Sequence, residues 1–174
     1  MKYNFFITGG TGSFANQFIE YIIKKKIAKK IIVFSRDEYK QSLMKNYNYV
    51  KKNSKIFRFF IGDIRDQNRL NWAINPDVDI IVHSAALKQV PTTEYNPFET
   101  VQTNVIGSQN VIEVSLQKKI KKVILVSTDK AVSPLNLYGS TKLTAEKLFI
   151  SANMFRGKTK SMFSVVRYGN VMGS

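Results

Sequence analysis

Six short apolar runs recur along the chain, at Tyr3–Ile7, Lys30–Phe34, Ile56–Ile61, Val78–His83, Lys122–Ser127 and Phe163–Arg167. Segments of helical pattern separate them, at Phe14–Lys26, Tyr39–Lys52, Gln67–Ile74, Asn96–Lys118 and Tyr138–Asn153. Most of the runs lack the alternation that one solvated face would impose, which predicts a parallel sheet covered on both sides. Repeated strand–helix units with short links imply a doubly wound α/β domain with right-handed crossovers. In the fourth helical segment Val101, Val105, Ile112 and Leu116 can share one stripe. The 174 residues suffice for a single domain over 1–174, burying roughly 70% of its unfolded surface.

Composition narrows the classes further. Hydrophobic residues make up 44% and aromatics 12%, which excludes a disordered chain. Cysteine is absent, so disulfides and thiolate metal sites are excluded; no metal is expected, and the chain suits a reducing cytoplasm. No apolar run reaches membrane-spanning length. Met1-Lys2-Tyr3 leads straight into the first run, which predicts no signal peptide. The net charge of +15 could draw nucleotide phosphates, nucleic acid or a lipid surface. Against that, the lysines are scattered among many Asn, Ile and Tyr residues, as a biased composition would produce. The densest group, Lys24-Lys25-Lys26 with Lys29-Lys30, is expected at a helix end and the loop after it. No nucleic-acid partner and no membrane span are expected.

Gly9-Gly10-Thr11-Gly12-Ser13-Phe14-Ala15 joins the first strand to the first helix. Glycines there let the backbone turn tightly and approach a pyrophosphate, while the helix start supplies free N–H donors. Ala15 stands where a third glycine is usual, a position that needs only close helix–strand packing. After the second strand, Ser35-Arg36-Asp37-Glu38 gives a mixed signal. An acidic residue favours a free ribose 2′-hydroxyl and an arginine a 2′-phosphate; with Arg36 first, NADP is expected and NAD is the alternative. Asp63 is placed to accept from the adenine amino group, whereas Asp66 suits a helix N-cap. The small residues of Ser84-Ala85-Ala86 allow a ligand to lie against the backbone before Lys88. His83, the one histidine, reads as structural.

Chemistry in an open parallel sheet gathers at the carboxyl ends of strands. There the fifth strand ends in Ser127-Thr128-Asp129-Lys130, and Tyr138-x-x-x-Lys142 opens the next helix. Tyr138 and Lys142 lie one turn apart on one face. The Lys142 ammonium and a nicotinamide cation would favour the Tyr138 phenolate as a base. Asp129 and Lys130 read either as further chemical groups or as a solvated turn with a local ion pair.

With these residues the chain resembles the extended short-chain dehydrogenase/reductases, and most of all the inverting UDP-N-acetylglucosamine 4,6-dehydratases of flagellin-glycan and capsule pathways. The resemblance runs through Thr8–Phe14, Ser35–Glu38, Gly62–Asp66, His83–Pro91, Thr103–Gly107, Ser127–Ala131, Asn136–Lys142 and Arg167–Ser174. It implies a Rossmann domain that holds its cofactor through Gly9, Gly12, Ser13, Phe14, Ser35, Arg36, Asp37, Asp63, Ile64, Ala85, Ala86, Lys88, Asn104, Tyr138 and Lys142. It also implies a lyase acting on a UDP-sugar. Tyr138, helped by Lys142, would take the C4 hydroxyl proton, Lys130 the C5 proton, and Asp129 would protonate the departing C6 hydroxyl. Thr128 would bind near the reacting hydroxyl, and Lys88 and Asn170 would contact substrate. Members continue well beyond position 174, so the part carrying the substrate domain is expected to be missing. The full-length protein is expected to be a homo-oligomer. A UDP-sugar 4-epimerase, needing Tyr138 and Lys142 but not Asp129 and Lys130, is the alternative enzyme; a non-catalytic nucleotide-binding remnant is the alternative of another class.

Overall fold

The computed structural model describes residues 1–169, so the expectation placed on Asn170 lies outside the described residues. Six strands form one sheet: β1 (Tyr3–Thr8), β2 (Ala28–Ser35), β3 (Phe57–Ile61), β4 (Ile80–His83), β5 (Lys122–Thr128) and β6 (Met162–Tyr168). All pair in parallel, in the order β3-β2-β1-β4-β5-β6. This is the doubly wound Rossmann arrangement, whose strand order reverses between β1 and β4.

The strands are two-faced, as their apolar sequence requires. Phe6, Ile32, Phe34, Ile81 and Leu125 point into one core beneath α4 (Gln67–Ala73), α7 (Gly107–Gln117) and α8 (Leu137–Phe155). Phe5, Ile7, Ile31, Val33 and Val82 point into the other, with Ile19 and Ile22 of α1 (Ser13–Lys24) and Met44 of α2 (Glu38–Lys45).

Three local expectations change. Lys29 and Lys30 belong to β2 rather than to a loop. The segment Tyr39–Lys52 divides into α2 and α3 (Asn48–Lys51), because Tyr47 is extended between them. The segment Asn96–Lys118 is α6 (Pro97–Val101), a π-turn (Gln102–Ile106) and α7. Before it stands α5 (Val90–Tyr95), six residues opened by Pro91 and too short to show a period. The π-turn shifts the helix phase, so the expected apolar stripe does not hold: Val101 is exposed, while Val105 and Leu116 are half-buried. The buried face carries Thr103, Asn104, Ser108 and Ser115 beside Val111, Ile112 and Val114. These small residues let α7 lie close to its neighbours.

Candidate active site

At the point where the strand order reverses lies a cleft of about 360 Å³. All the expected cofactor residues line it except Asn104, Tyr138 and Lys142. Gly9 makes the turn possible. Its φ is +62°, and a Cβ there would come within 2.8 Å of the Ala85 backbone. No side chain caps α1 at Gly12, where a Cβ would meet only the Gly9 carbonyl, at 3.2 Å. The first-turn amides of α1 therefore open onto the cleft, a cradle fitted to a dinucleotide pyrophosphate.

At the far end, Arg36 lies exposed 3.7 Å from Asp63, and Arg65 holds the same carboxylate at 2.8 Å. Burial pushes the Asp63 carboxyl up, but its bonds to Arg65 and the charge of Arg36 bring it below the ordinary value. Asp37 is turned to local use: it caps α2 by accepting from the Lys40 N–H at 2.9 Å. Asp66 caps α4 in the same way through Arg69, as its position suggested.

Behind the β4 loop runs a buried polar chain. Asn104 accepts from the Leu87 N–H and donates to the Leu87 carbonyl, at 2.8 and 2.9 Å. It also donates to Thr141 Oγ1. Only 1% exposed, Asn104 stands behind the cleft wall and braces the Leu87 segment that lines it. Ser108 Oγ donates to the Asn104 carbonyl, so it accepts from His83 Nε2; His83 Nδ1 then accepts from Thr8 Oγ1. Burial pushes the His83 imidazole down to about 3, which keeps it neutral and makes it a structural link.

The second cluster gathers where β5 meets α8. Gly139 makes the approach possible, because a Cβ there would collide with the Lys130 carbonyl. Asn136 caps α8 through the Gly139 N–H, and Glu94 accepts from the Leu137 N–H. Thr128 Oγ1 donates to Asp129 Oδ1 at 2.9 Å, and Lys130 Nζ reaches the same oxygen at 3.3 Å. The Thr128 and Lys130 bonds hold the Asp129 carboxyl below the ordinary value. Asp129 and Lys130 thus form a local ion pair here.

Burial raises the Tyr138 phenol above the ordinary value, and the neighbouring Thr128 hydroxyl only partly offsets this. Lys142 is no counterweight, for its Nζ donates to the Val126 carbonyl at 2.9 Å. It is 3% exposed, and burial pushes it down to about 8. Glu146, one turn further along α8, binds Arg167 Nη2 at 2.5 Å and accepts from Ser127 Oγ at 2.5 Å. Burial pushes its carboxyl up, yet Arg167, Ser127 and Lys142 together hold it below the ordinary value.

Sequence reasoning gave no individual role to Tyr168, Lys40 and Thr103, which also line the cleft. Tyr168 stacks on Phe14 with ring centroids 5.8 Å apart. Lys40 lines the cleft with its Nζ 3.5 Å from Asp37 Oδ2. Thr103, in the π-turn, has a buried hydroxyl without a hydrogen-bond partner among the described residues. A π-turn gives no signal in hydrophobic periodicity, though such turns gather at functional sites.

Comparison with known proteins agrees with this arrangement. Residues 5–174 match the family described as "Polysaccharide biosynthesis protein". The chain is 49% identical over 171 residues to a UDP-N-acetylglucosamine 4,6-dehydratase (inverting) of Campylobacter jejuni, covering 98% of this chain and 50% of that protein. It is 45% identical to a UDP-glucose 4-epimerase of Rickettsia bellii, covering 97% and 49%. Among solved structures, Pen from Bacillus thuringiensis superposes with a TM-score of 0.93 at 42% identity, over 99% of this chain and 54% of Pen. The chain therefore spans about half the length of the curated relatives it matches.

Proposed function

This chain belongs to the polysaccharide biosynthesis protein family, and on that premise we propose that it is the cofactor-binding and acid–base part of a UDP-N-acetylglucosamine 4,6-dehydratase that uses NADP and inverts C5. The observation that carries the reading is the Asp129–Lys130 pair, which shares the Thr128 hydroxyl's surroundings with Tyr138. A 4-epimerase needs a base at C4 but no acid–base pair for C5 and C6. Two relatives bearing these two names frame the choice.

When bound, the nicotinamide would accept the C4 hydride and return it to C6. The chain's own residues do the proton work. Tyr138 takes the C4 hydroxyl proton. The new C4 ketone acidifies the C5 proton, which Lys130 removes as a neutral amine. Asp129 gives a proton to the departing C6 hydroxyl, so water leaves. The resting pair holds the opposite charges, and moving one proton from Lys130 Nζ to Asp129 Oδ1 produces both reactive forms at once. Excluding water over the turn favours this neutral pair. NADP is supported by Arg36 and Lys40, two cations lining the cleft beside Asp37, whose carboxylate is engaged in capping α2.

The test uses the full-length protein with UDP-N-acetylglucosamine. Tyr138→Phe is expected to abolish C4 oxidation. Lys130→Ala and Asp129→Asn are expected to oxidise C4, seen as NADPH absorbance, yet to release no 4-keto-6-deoxy product. Dehydration at near wild-type rates in both would hand the function to the epimerase reading.

A further inference from the structure

All six strands run parallel, so their N-terminal ends share one edge of the sheet, opposite the cleft. Backbone bonds fix that alignment, from Tyr3 N–H to Ile27, Asp79 to Asn4, Lys122 to Asp79 and Met162 to Lys121. The lysines that look scattered in sequence collect here. Lys2 and the segments 24–30, 51–58, 118–122 and 156–160 hold 17 of the 27 basic residues. Only three acidic residues, Glu20, Asp77 and Asp79, share this end, leaving a formal +14. The rest of the molecule, cleft included, sets 10 basic against 9 acidic residues, a formal +1. Nearly the whole net charge of the chain therefore sits on one face.

Two features choose among anionic partners. Of the 17 cations 15 are lysines, compact charges suited to a diffuse anionic surface rather than to bidentate phosphate readout. Large apolar side chains also stand in solvent among them. Met154 and Phe155, 84% and 76% exposed, end α8 just before Arg156, and Met1 is 97% exposed beside Lys2. Such residues gain by entering the boundary of a bilayer, which a nucleic acid does not offer. We propose that this edge docks on a membrane leaflet containing anionic lipids, with the cofactor cleft facing away from it. No helix among the described residues is long and apolar enough to cross a membrane, so the contact is peripheral.

Vesicle flotation with the intact 174-residue chain tests this. Vesicles of phosphatidylcholine with about one-third phosphatidylglycerol should carry the chain at low salt, and phosphatidylcholine alone should not. A cation near such a surface strengthens binding about fivefold, so Lys29→Gln with Lys160→Gln should weaken it about 25-fold. Lys45→Gln with Lys147→Gln, the same charge removed away from this edge, over Phe59 of mid-β3 and midway along α8, should change it by less than about twofold. Met154→Ser with Phe155→Ser should weaken vesicle binding about tenfold while leaving the affinity for a short DNA duplex unchanged. Equal loss in the two lysine pairs would overturn the assignment to this face. Binding to the duplex but not to vesicles, or no effect of the Met154 and Phe155 changes, would overturn the membrane as the partner.

Discussion

The glycine turn after β1 and the polar turn after β5 lie on the same edge of the same sheet, but they are prepared to different degrees. The first is complete without its ligand. Gly9 holds a left-handed backbone against Ala85, and the amides of α1 open onto the cleft. The second has its groups together but in resting states. Tyr138 is a half-buried phenol whose ionisation burial disfavours, and Asp129 and Lys130 are joined in a local ion pair. A fold can fix shape in advance, because shape needs only packing. Protonation states follow solvent and charge, which the bound ligand changes.

The largest expected effect would break this comparison at its chemical side. If Asp129 and Lys130 act as one proton-exchanging unit, Lys130→Ala and Asp129→Asn should each lower turnover of the full-length enzyme by about 10²–10⁴. The double variant should be no worse than the slower single one, as for groups that act as a unit. Losses that multiply, measured as steady-state product release, would mean that the two residues act independently.

Next in size is the cost of keeping Lys142 buried. Its ammonium titrates near 8 in the folded chain against an ordinary 10.5. Between those values the unfolded chain binds the extra proton, so stability should rise as pH climbs from about 8 towards 10.5. Below 8 the lysine is charged in both states and its burial cost, on the order of 3 kcal/mol, is fully present. Lys142→Met should stabilise the chain at pH 7 and flatten the rise, read by urea unfolding between pH 7 and 10. An unchanged slope would show that Lys142 does not carry it.

On the binding side, Gly9→Ala forces a Cβ into the left-handed region at about 1–2 kcal/mol and against the Ala85 backbone. NADP affinity, measured by titration, should fall about tenfold. Retained affinity would mean that the turn is less fixed than its geometry implies.

Much of this was readable from the sequence, and unevenly so. Each of the six strands was found because a parallel strand buried on both faces is a short apolar run. Gly9, Gly12, Ser35, Arg36 and Asp63 were picked out because backbone approach and charge dictate residue type, and the structure brings them to one cleft. Asn104 was picked out as well, but its bracing of the Leu87 backbone was not legible, since that contact joins residues far apart in sequence. The place of Thr103 in the cleft and the break in Asn96–Lys118 were not legible because a π-turn changes helix phase without changing composition. The basic edge was hidden for another reason. Its lysines are far apart in sequence, and only the parallel topology brings 24–30, 51–58, 118–122 and 156–160 together.

The smallest expected effect sharpens the binding side, by separating two tasks at Asp37. Its carboxylate could read a ribose 2′-hydroxyl, as an acid after the second strand often does, or it could serve α2 alone. The structure engages it with the Lys40 N–H at 2.9 Å and the Lys40 ammonium at 3.5 Å. Serine is also a good N-cap, so Asp37→Ser should keep α2 within a few tenths of a kcal/mol, whereas Asp37→Ala should cost about 1 kcal/mol. Removing the negative charge beside Arg36 should leave NAD affinity unchanged and raise NADP affinity slightly, because a 2′-phosphate is repelled by a carboxylate. Thermal unfolding of both variants and titration with both cofactors read the two tasks separately. If Asp37→Ser keeps stability but loses NAD affinity, Asp37 reads the ribose, and the preference for NADP argued from its capping role fails.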